Sequence, residues 1–198
     1  MISYSIMAVP ERVVAAAKLW RQLNEGAVLV YDRNRSGPRR NWVCAWRMRD
    51  PEATHHVVLQ DDVLLCFDFP SVLARVVAAR PDDVITCFSP NPIVRQAYDG
   101  GYRWAKLRRF RYSQCLVLPV SIGDAAAEYL EKTEDIRADD DALHRFFKRH
   151  SIPVYATVPC IVQHDTELES VVGSVPKRAA VFQYHVSYEF DDLNTLVE

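Results

Sequence analysis

Two adjacent carboxylates, Asp61 and Asp62, follow the apolar run Val57-Val58-Leu59, with the amide of Gln60 between. Side by side they repel, and neither leaves water without a large cost unless a positive partner is at hand. A divalent ion shared with the phosphates of a nucleotide is one natural counter-charge. A strand-ending turn with two solvated acids is the other reading, and Pro81-Asp82-Asp83 offers such a turn in the same chain. Far downstream, His164 closes the run Val158-Pro159-Cys160-Ile161-Val162-Gln163. A neutral imidazole is a good ligand for Mn²⁺ as well as Zn²⁺, although a single histidine after an apolar run is as readily a packed, structural one.

A third feature is basic and aromatic. Arg103, Lys106, Arg108, Arg109 and Arg111 alternate with Tyr102, Trp104, Phe110 and Tyr112. That interleaving suits phosphate contact combined with base stacking, or a platform for an acceptor sugar. The bland alternative is a basic loop whose aromatics tuck into the core. A second cationic cluster, Arg33, Arg35, Arg39, Arg40, Arg47 and Arg49, stands against an acidic stretch over 124–141, which predicts a molecule polarised in charge.

The elements that must position these residues alternate. Residues 3–9 read as a strand, 11–23 as a helix, and the short apolar run 27–31 as a strand buried on both faces. A polar, basic loop spans 32–40, and 41–48 forms a short helix with Trp42 and Trp46 on one face. Strands at 56–60, 84–88 and 115–120 and helices at 71–80, 124–132 and 139–150 follow, the last burying Leu143, Phe146 and Phe147; the remainder reads as irregular. Such alternation predicts an α/β fold, a single domain over 1–198 with a mostly parallel central sheet and helices on both faces. Ligands in such sheets sit at the carboxyl ends of the strands. Asp32, Gln60, Asp61, Asp62 and Ser89 therefore carry the functional information.

Composition narrows the field. With 198 residues, 49% of them hydrophobic, the chain can bury one substantial core, and a net charge of −2 implies no particular partner. Nothing approaches the roughly 20 apolar residues that span a bilayer. The opening ten residues lack a basic start and read as a first strand rather than a signal peptide. The five cysteines are widely spaced without a C-x-x-C pair, so reduced core cysteines in a cytoplasmic protein are expected. Neither a G-x-G-x-x-G nor a P-loop sequence is present, which argues against a dinucleotide dehydrogenase or a P-loop NTPase.

The segment Thr54-His55-His56-Val57-Val58-Leu59-Gln60-Asp61-Asp62-Val63, with Phe67-Asp68-Phe69, resembles the LQDDA…F region of small GT-A-type glycosyltransferases. These are phage and actinobacterial relatives of family 25, the lipooligosaccharide and collagen galactosyl group. Val158 to His164 with Ser170-Val171-Val172-Gly173 resembles the P-x-L-V-Q-H…S-x-x-G close of the same group. The resemblance implies a GT-A-like, Rossmann-like domain with a nucleotide-sugar-binding half (1–95) and an acceptor and metal-completing half (96–198). It implies Mn²⁺ or Mg²⁺ on Asp62, with Asp61 on metal or ribose and His164 completing the metal site. Gln60 stands where many relatives carry an acid. Val9 and Pro10 would line the base pocket and Asp32 would hold base or ribose.

The expected reaction is transfer of a sugar from a nucleotide sugar, a UDP-sugar foremost, to an acceptor hydroxyl. Asp165 and Asp99 are the candidates for the base that takes the hydroxyl proton. Arg103, Trp104, Lys106, Arg108, Arg109 and Arg111 are the expected acceptor contacts. A hydroxymethylated base of phage DNA, flipped from its duplex, competes as acceptor with a surface glycan or a lipid-linked sugar. A non-catalytic nucleic-acid-binding module is the reading from a different class. A metal-dependent nuclease or phosphotransferase ranks below it, because Glu52, Asp68 and Asp165 give no clear further acid spacing.

Overall fold

The computed structural model describes residues 1–24, 26–133, 138–168, 177–187, 189–190 and 193–197. The apolar runs become the strands of one large sheet. In chain order the elements are β1 (Ile2–Ala8), α1 (Val13–Gln22), β2 (Ala27–Tyr31), α2 (Pro38–Arg47), β3 (His55–Gln60), β4 (Val63–Leu65), α3 (Phe69–Ala79) and β5 (Val84–Thr86). They continue with α4 (Pro92–Asp99), β6 (Trp104–Leu107), β7 (Cys115–Pro119), α5 (Val120–Lys132), α6 (Asp139–Arg149), β8 (Val154–Thr157), β9 (Val162–His164) and β10 (Thr195–Val197).

Eight strands form the sheet in the order β10-β6-β8-β5-β7-β3-β1-β2, and β4 pairs with β9 in a separate two-stranded ribbon. Pairing is parallel for β1 with β2 and β3, for β5 with β8 and for β10 with β6. It is antiparallel where β7 lies between β3 and β5, and where β6 meets β8. The result is a mixed α/β architecture with a mostly parallel sheet.

Alternation along β3 assigns its two faces. Val57 and Leu59 pack with Ala16 and Leu19 of α1 and with Leu73 and Val76 of α3. Val58 points the other way, into Trp42, Trp46, Ala126, Leu143 and Phe146 of α2, α5 and α6. Helices thus cover both faces. Trp42 and Trp46 stack with ring centroids 5.7 Å apart. Gly123 of α5 lies against the Trp46 ring, where an added Cβ would come within 1.9 Å of it.

Several elements depart from the sequence expectation for local reasons. The sequence predicts no helix between residues 88 and 115, yet α4 begins at Pro92: Asn91 Oδ1 accepts from Ile93 N at 3.0 Å, and Pro92 takes the first helical position, where no N–H is needed. α2 likewise starts early, at Pro38, after Gly37 in a positive-φ conformation. The basic aromatic segment contains a strand, β6, whose Trp104, Ala105 and Leu107 are buried. The basic cluster and the acidic stretch meet in part. Arg47 meets Glu131 at 3.2 Å, Arg49 meets Asp124 at 2.9 Å, and the buried Arg39 donates to the Leu130 carbonyl. All five cysteines are free; four are buried and Cys44 is exposed. Among the described residues, no helix is long and apolar enough to cross a membrane.

Candidate active site

β1 and β3 run in parallel, with Met7 beside Gln60, so both chains leave the sheet at one edge. Past Gln60 the chain turns through Asp61 and Asp62 into β4. Past Ala8 it makes a 3-10 turn, Pro10–Arg12, before α1. β9 then delivers His164 opposite Val63, the first residue of β4. Residues far apart in sequence therefore meet at the carboxyl edge of the sheet.

Asp61 and Asp62 are only 5% and 7% exposed. Asp61 Oδ2 accepts from the Val9 amide at 2.9 Å. A single nitrogen of Arg12, Nη1, donates to Asp61 Oδ1 at 2.9 Å and to Asp62 Oδ2 at 2.6 Å. His164 Nε2 lies 3.2 Å from Asp62 Oδ2, and the Asp165 amide donates to the Asp62 carbonyl at 2.7 Å. The His164 ring rests edge-on against buried Phe88, with centroids 6.1 Å apart.

These contacts tune the two acids differently. Burial pushes Asp61 up, and the Val9 amide and Arg12 only partly offset it. Burial also acts on Asp62, but the His164 hydrogen bond and the Arg12 guanidinium outweigh it and hold that carboxyl below its usual range. Arg12 is itself raised: burial works against its charge, but Asp62 and Asp61 more than compensate. An ionised Asp62 and a permanently charged guanidinium thus share one desolvated spot.

Asp62 Oδ1 and His164 Nδ1 are both buried without a hydrogen-bond partner. Orphaned buried polar atoms are rare and mark a missing partner. With its proton on Nε2 toward Asp62, the imidazole leaves a lone pair at Nδ1. An anionic oxygen and an imidazole nitrogen are fitting donors for Mn²⁺ or Mg²⁺ whose remaining positions come from phosphate oxygens and water. No group of three or more His, Cys, Asp or Glu side chains suited to a metal occurs among the described residues.

The other expected residues take varied places. Gln60 donates from Nε2 to Ser113 Oγ at 3.0 Å, and Ser113 donates in turn to the buried Asp139 at 2.5 Å. Pro10 is exposed and begins the 3-10 turn. Asp32, expected to hold base or ribose, closes its own loop. Its carboxylate accepts from the Ser36 amide at 2.8 Å, the Ser36 hydroxyl at 2.7 Å and the Gly37 amide at 2.9 Å. Asp165 is half-buried, its side chain accepting from the Glu167 amide at 3.1 Å. Asp99 is exposed at the end of α4, and among the described residues it shares no hydrogen bond or ion pair with the acid pair.

The basic segment does not form one platform. Trp104 is corrected from an acceptor contact to a core residue: it is fully buried, packed on Phe190 and covered by the Arg80 guanidinium 4.8 Å from its ring centroid. Arg103 lies where β6 starts, beside the carboxyl end of β8. β6 then runs against β8 until Leu107 reaches Val154, the first residue of β8. Lys106 is half-buried on the way, and Arg108 and Arg109 emerge at the amino edge of the sheet, opposite the acid pair. There, with His144 and Lys148 of α6, they line a concavity of about 480 Å³. Arg111 is exposed on the loop that climbs back to β7. The Ser170-Val171-Val172-Gly173 part of the second resemblance lies outside the described residues.

Sequence reasoning missed Arg12. A signal existed: two carboxylates ending one strand require a cation, and Arg12 occupies the first turn after the neighbouring strand.

A scan of protein families gives no match to this sequence, and a search of curated proteins gives none either. Solved structures similar in fold include A197 from STIV, with 16% identity, 94% of this chain and 99% of that chain covered, and a TM-score of 0.48. The inositol-1-phosphate CTP transferase from T. maritima matches at 10% identity over 86% of this chain and 74% of its own, with a TM-score of 0.44. UDP-glucose pyrophosphorylase complexed with UDP-glucose matches at 15% identity over 77% and 72% of the two chains, with a TM-score of 0.41.

Proposed function

We propose that this chain is a GT-A-like glycosyltransferase, moving a sugar from a nucleotide-sugar donor, a UDP-sugar foremost, to an acceptor hydroxyl. The observation that carries the reading is the convergence of Asp61, Asp62, His164 and Arg12 in one desolvated cluster at the carboxyl edge of β1 and β3. In this reading residues 1–95 hold the donor, and the later half supplies His164 and the acceptor side.

Asp62 and His164 are the residues that would hold Mn²⁺ or Mg²⁺, which when bound offsets charge building on the departing diphosphate. Asp61, fixed by the Val9 amide, keeps Arg12 in place rather than ligating directly. Arg12 presents a planar set of donors suited to phosphate oxygens, so it binds and orients the diphosphate end of the donor. Asp165, tethered through its amide to Asp62, is the better placed of the two expected bases to accept the acceptor's hydroxyl proton.

Thermal unfolding against a panel of nucleotide sugars, with and without Mn²⁺, tests the donor site. A donor at a hundred times its Kd stabilises by about 2.7 kcal/mol through mass action. A metal-dependent rise in Tm with one UDP-sugar is expected; no rise with any donor overturns the reading.

A duplex acceptor is favoured by one observation, the basic concavity of Arg108, Arg109, His144 and Lys148. Its position at the amino edge suits phosphate contact at a distance from the transfer point, not base capture. Replacing Arg108 and Arg109 with Ala should abolish duplex binding and leave transfer to small sugars intact; unchanged duplex binding rejects DNA as acceptor.

A further inference from the structure

The ribbon of β4 and β9 that brings His164 to Asp62 continues into an aromatic cluster with no role in the site described so far. Directly after β4, Phe67 is 59% exposed, and Tyr184, from the distant chain, is 52% exposed. The Phe67 amide donates to the Tyr184 carbonyl at 2.7 Å, which holds the two segments side by side. Ring centroids stand 6.3 Å apart for Phe67 and Tyr184, 5.4 Å for Phe67 and His185, and 4.9 Å for Tyr184 and His185. Large rings left in water and clustered beside a hollow, as Phe67 and His185 line this one, mark an interaction site more often than a lone exposed side chain does.

The hollow has a volume of about 210 Å³, and its lining includes Phe67, Asp68, Ser71, Arg75 and His185. Asp68, in a left-handed conformation at the start of α3, makes no capping bond to that helix, so its carboxylate faces solvent at the rim. Arg75 is held 3.1 Å from Glu189. The cluster therefore offers flat apolar faces beside a carboxylate, a hydroxyl and a guanidinium. A pyranose ring has the complementary chemistry: one face of C–H groups that lies on an aromatic ring, and an equatorial belt of hydroxyls that bonds to planar charged groups. A phosphate-rich ligand fits less well, because Asp68 and Glu189 would repel it.

We propose that this hollow binds carbohydrate, as the subsite for an interior ring of a glycan acceptor. The acceptor role rests on the transfer reading above; the carbohydrate site itself rests on the cluster. At most about 18 Å of extended chain separates Asp62 from Phe67. The extended strand β4 lies between them, so the site suits an acceptor of more than one ring whose end reaches the acid pair.

The test presents the full chain, fluorescently labelled, to an array of immobilised oligosaccharides, with immobilised nucleosides and single-stranded DNA on the same surface. Phe67→Ala and Asp68→Asn are run alongside the wild type, with circular dichroism confirming that each is folded. Retention of the wild type by a related set of oligosaccharides, weakened roughly tenfold by Phe67→Ala, is expected for a stacking contact of this kind. Retention on nucleosides or DNA alone, glycan retention equal in wild type and Phe67→Ala, or an array without bound glycan overturns the proposal. The donor-induced Tm shift of the wild type is read separately. Glycan binding that depends on Phe67 without a donor shift keeps the carbohydrate site and removes the transfer reading. A donor shift without glycan binding does the reverse.

Discussion

His164 Nε2 stands 3.2 Å from Asp62 Oδ2 because β9 pairs antiparallel with β4 in a register that sets His164 opposite Val63. One short ribbon thus fixes the distance between a carboxylate from the first third of the chain and an imidazole from its last third. The same ribbon leaves Phe67 and Tyr184 adjoining just beyond its other end. Any change in its register would disturb the acid pair and the aromatic cluster together.

Asp62→Asn keeps the shape of the side chain and removes the charge that His164 and Arg12 jointly stabilise. Transfer should fall by about two orders of magnitude or more, as for loss of a charge-stabilising group at a reacting centre, while circular dichroism shows the fold kept, at a Tm lowered by the loss of one charged partner of Arg12. Turnover at wild-type rates would remove Asp62 from the site.

Arg12→Ala leaves two desolvated carboxylates facing each other. Removing one partner of a buried charge cluster costs about 3–5 kcal/mol. Without the guanidinium both acids rise, so the folded variant holds protons that the unfolded chain releases. Its deficit should therefore be largest at neutral pH and shrink as the pH falls. Urea unfolding of wild type and variant at pH 5 and pH 8 measures this. A deficit of equal size at both values would mean that Arg12 acts by packing alone.

How much of this was legible beforehand depends on which residues announce their neighbours. Five of the sheet's strands, β1, β2, β3, β5 and β7, could be read because runs such as Val28-Leu29-Val30 and Val57-Val58-Leu59 are continuously apolar, and Asp61-Asp62 could be read because the polarity changes abruptly there. Arg12 was hidden because an arginine in a helix's first turn usually reads as a solvated face; only the parallel placement of β1 beside β3 brings it to the acids. Trp104 misled because the cations around it masked a strand that buries its own aromatic. The loop closure by Asp32 was not legible either, because a carboxylate at a strand end gives no sign of which following amides it will accept from, here those of Ser36 and Gly37. Three-residue strands such as β4, β9 and β10 carry too few residues for any period to emerge.

Gly123→Ala tests the seam between α2 and α5. The added methyl would lie 1.9 Å from the Trp46 ring, which is itself fully buried and bonded through Nε1 to Asp124 at 2.9 Å. Neither helix can yield without breaking that bond or the Trp42 stack. Destabilisation of about 3 kcal/mol or more is expected, at the upper end of overpacking costs. A Tm within a degree or two of the wild type would show that the seam is looser than this.

Two buried groups oppose each other in their pH dependence. Burial raises Asp139 to about 6, with the Asp140 charge adding to it against the Ser113 bond. Burial lowers His56 to about 4; its Nδ1 lies 2.7 Å from Ser3 Oγ, and Ser5 Oγ, beside Nε2, is donated to the Ala45 carbonyl, a network that a neutral imidazole satisfies. For Asp139 the folded state binds the proton more tightly, so stability is lost as pH rises from about 4 to about 6. For His56 the unfolded state binds it more tightly, so stability is lost as pH falls from about 6.5 to about 4. Each amounts to about 3 kcal/mol across its window, and within the wild type they largely cancel. Asp139→Asn should therefore gain about 3 kcal/mol relative to wild type between pH 4 and pH 7, because it removes only the penalty at high pH. His56→Gln should shift in the opposite sense, faring better against the wild type at pH 4 than at pH 7 whatever its hydrogen bonds cost at both. Urea titrations of the three proteins across that range decide it: parallel stability curves would mean that neither group is held in the protonation state its surroundings impose.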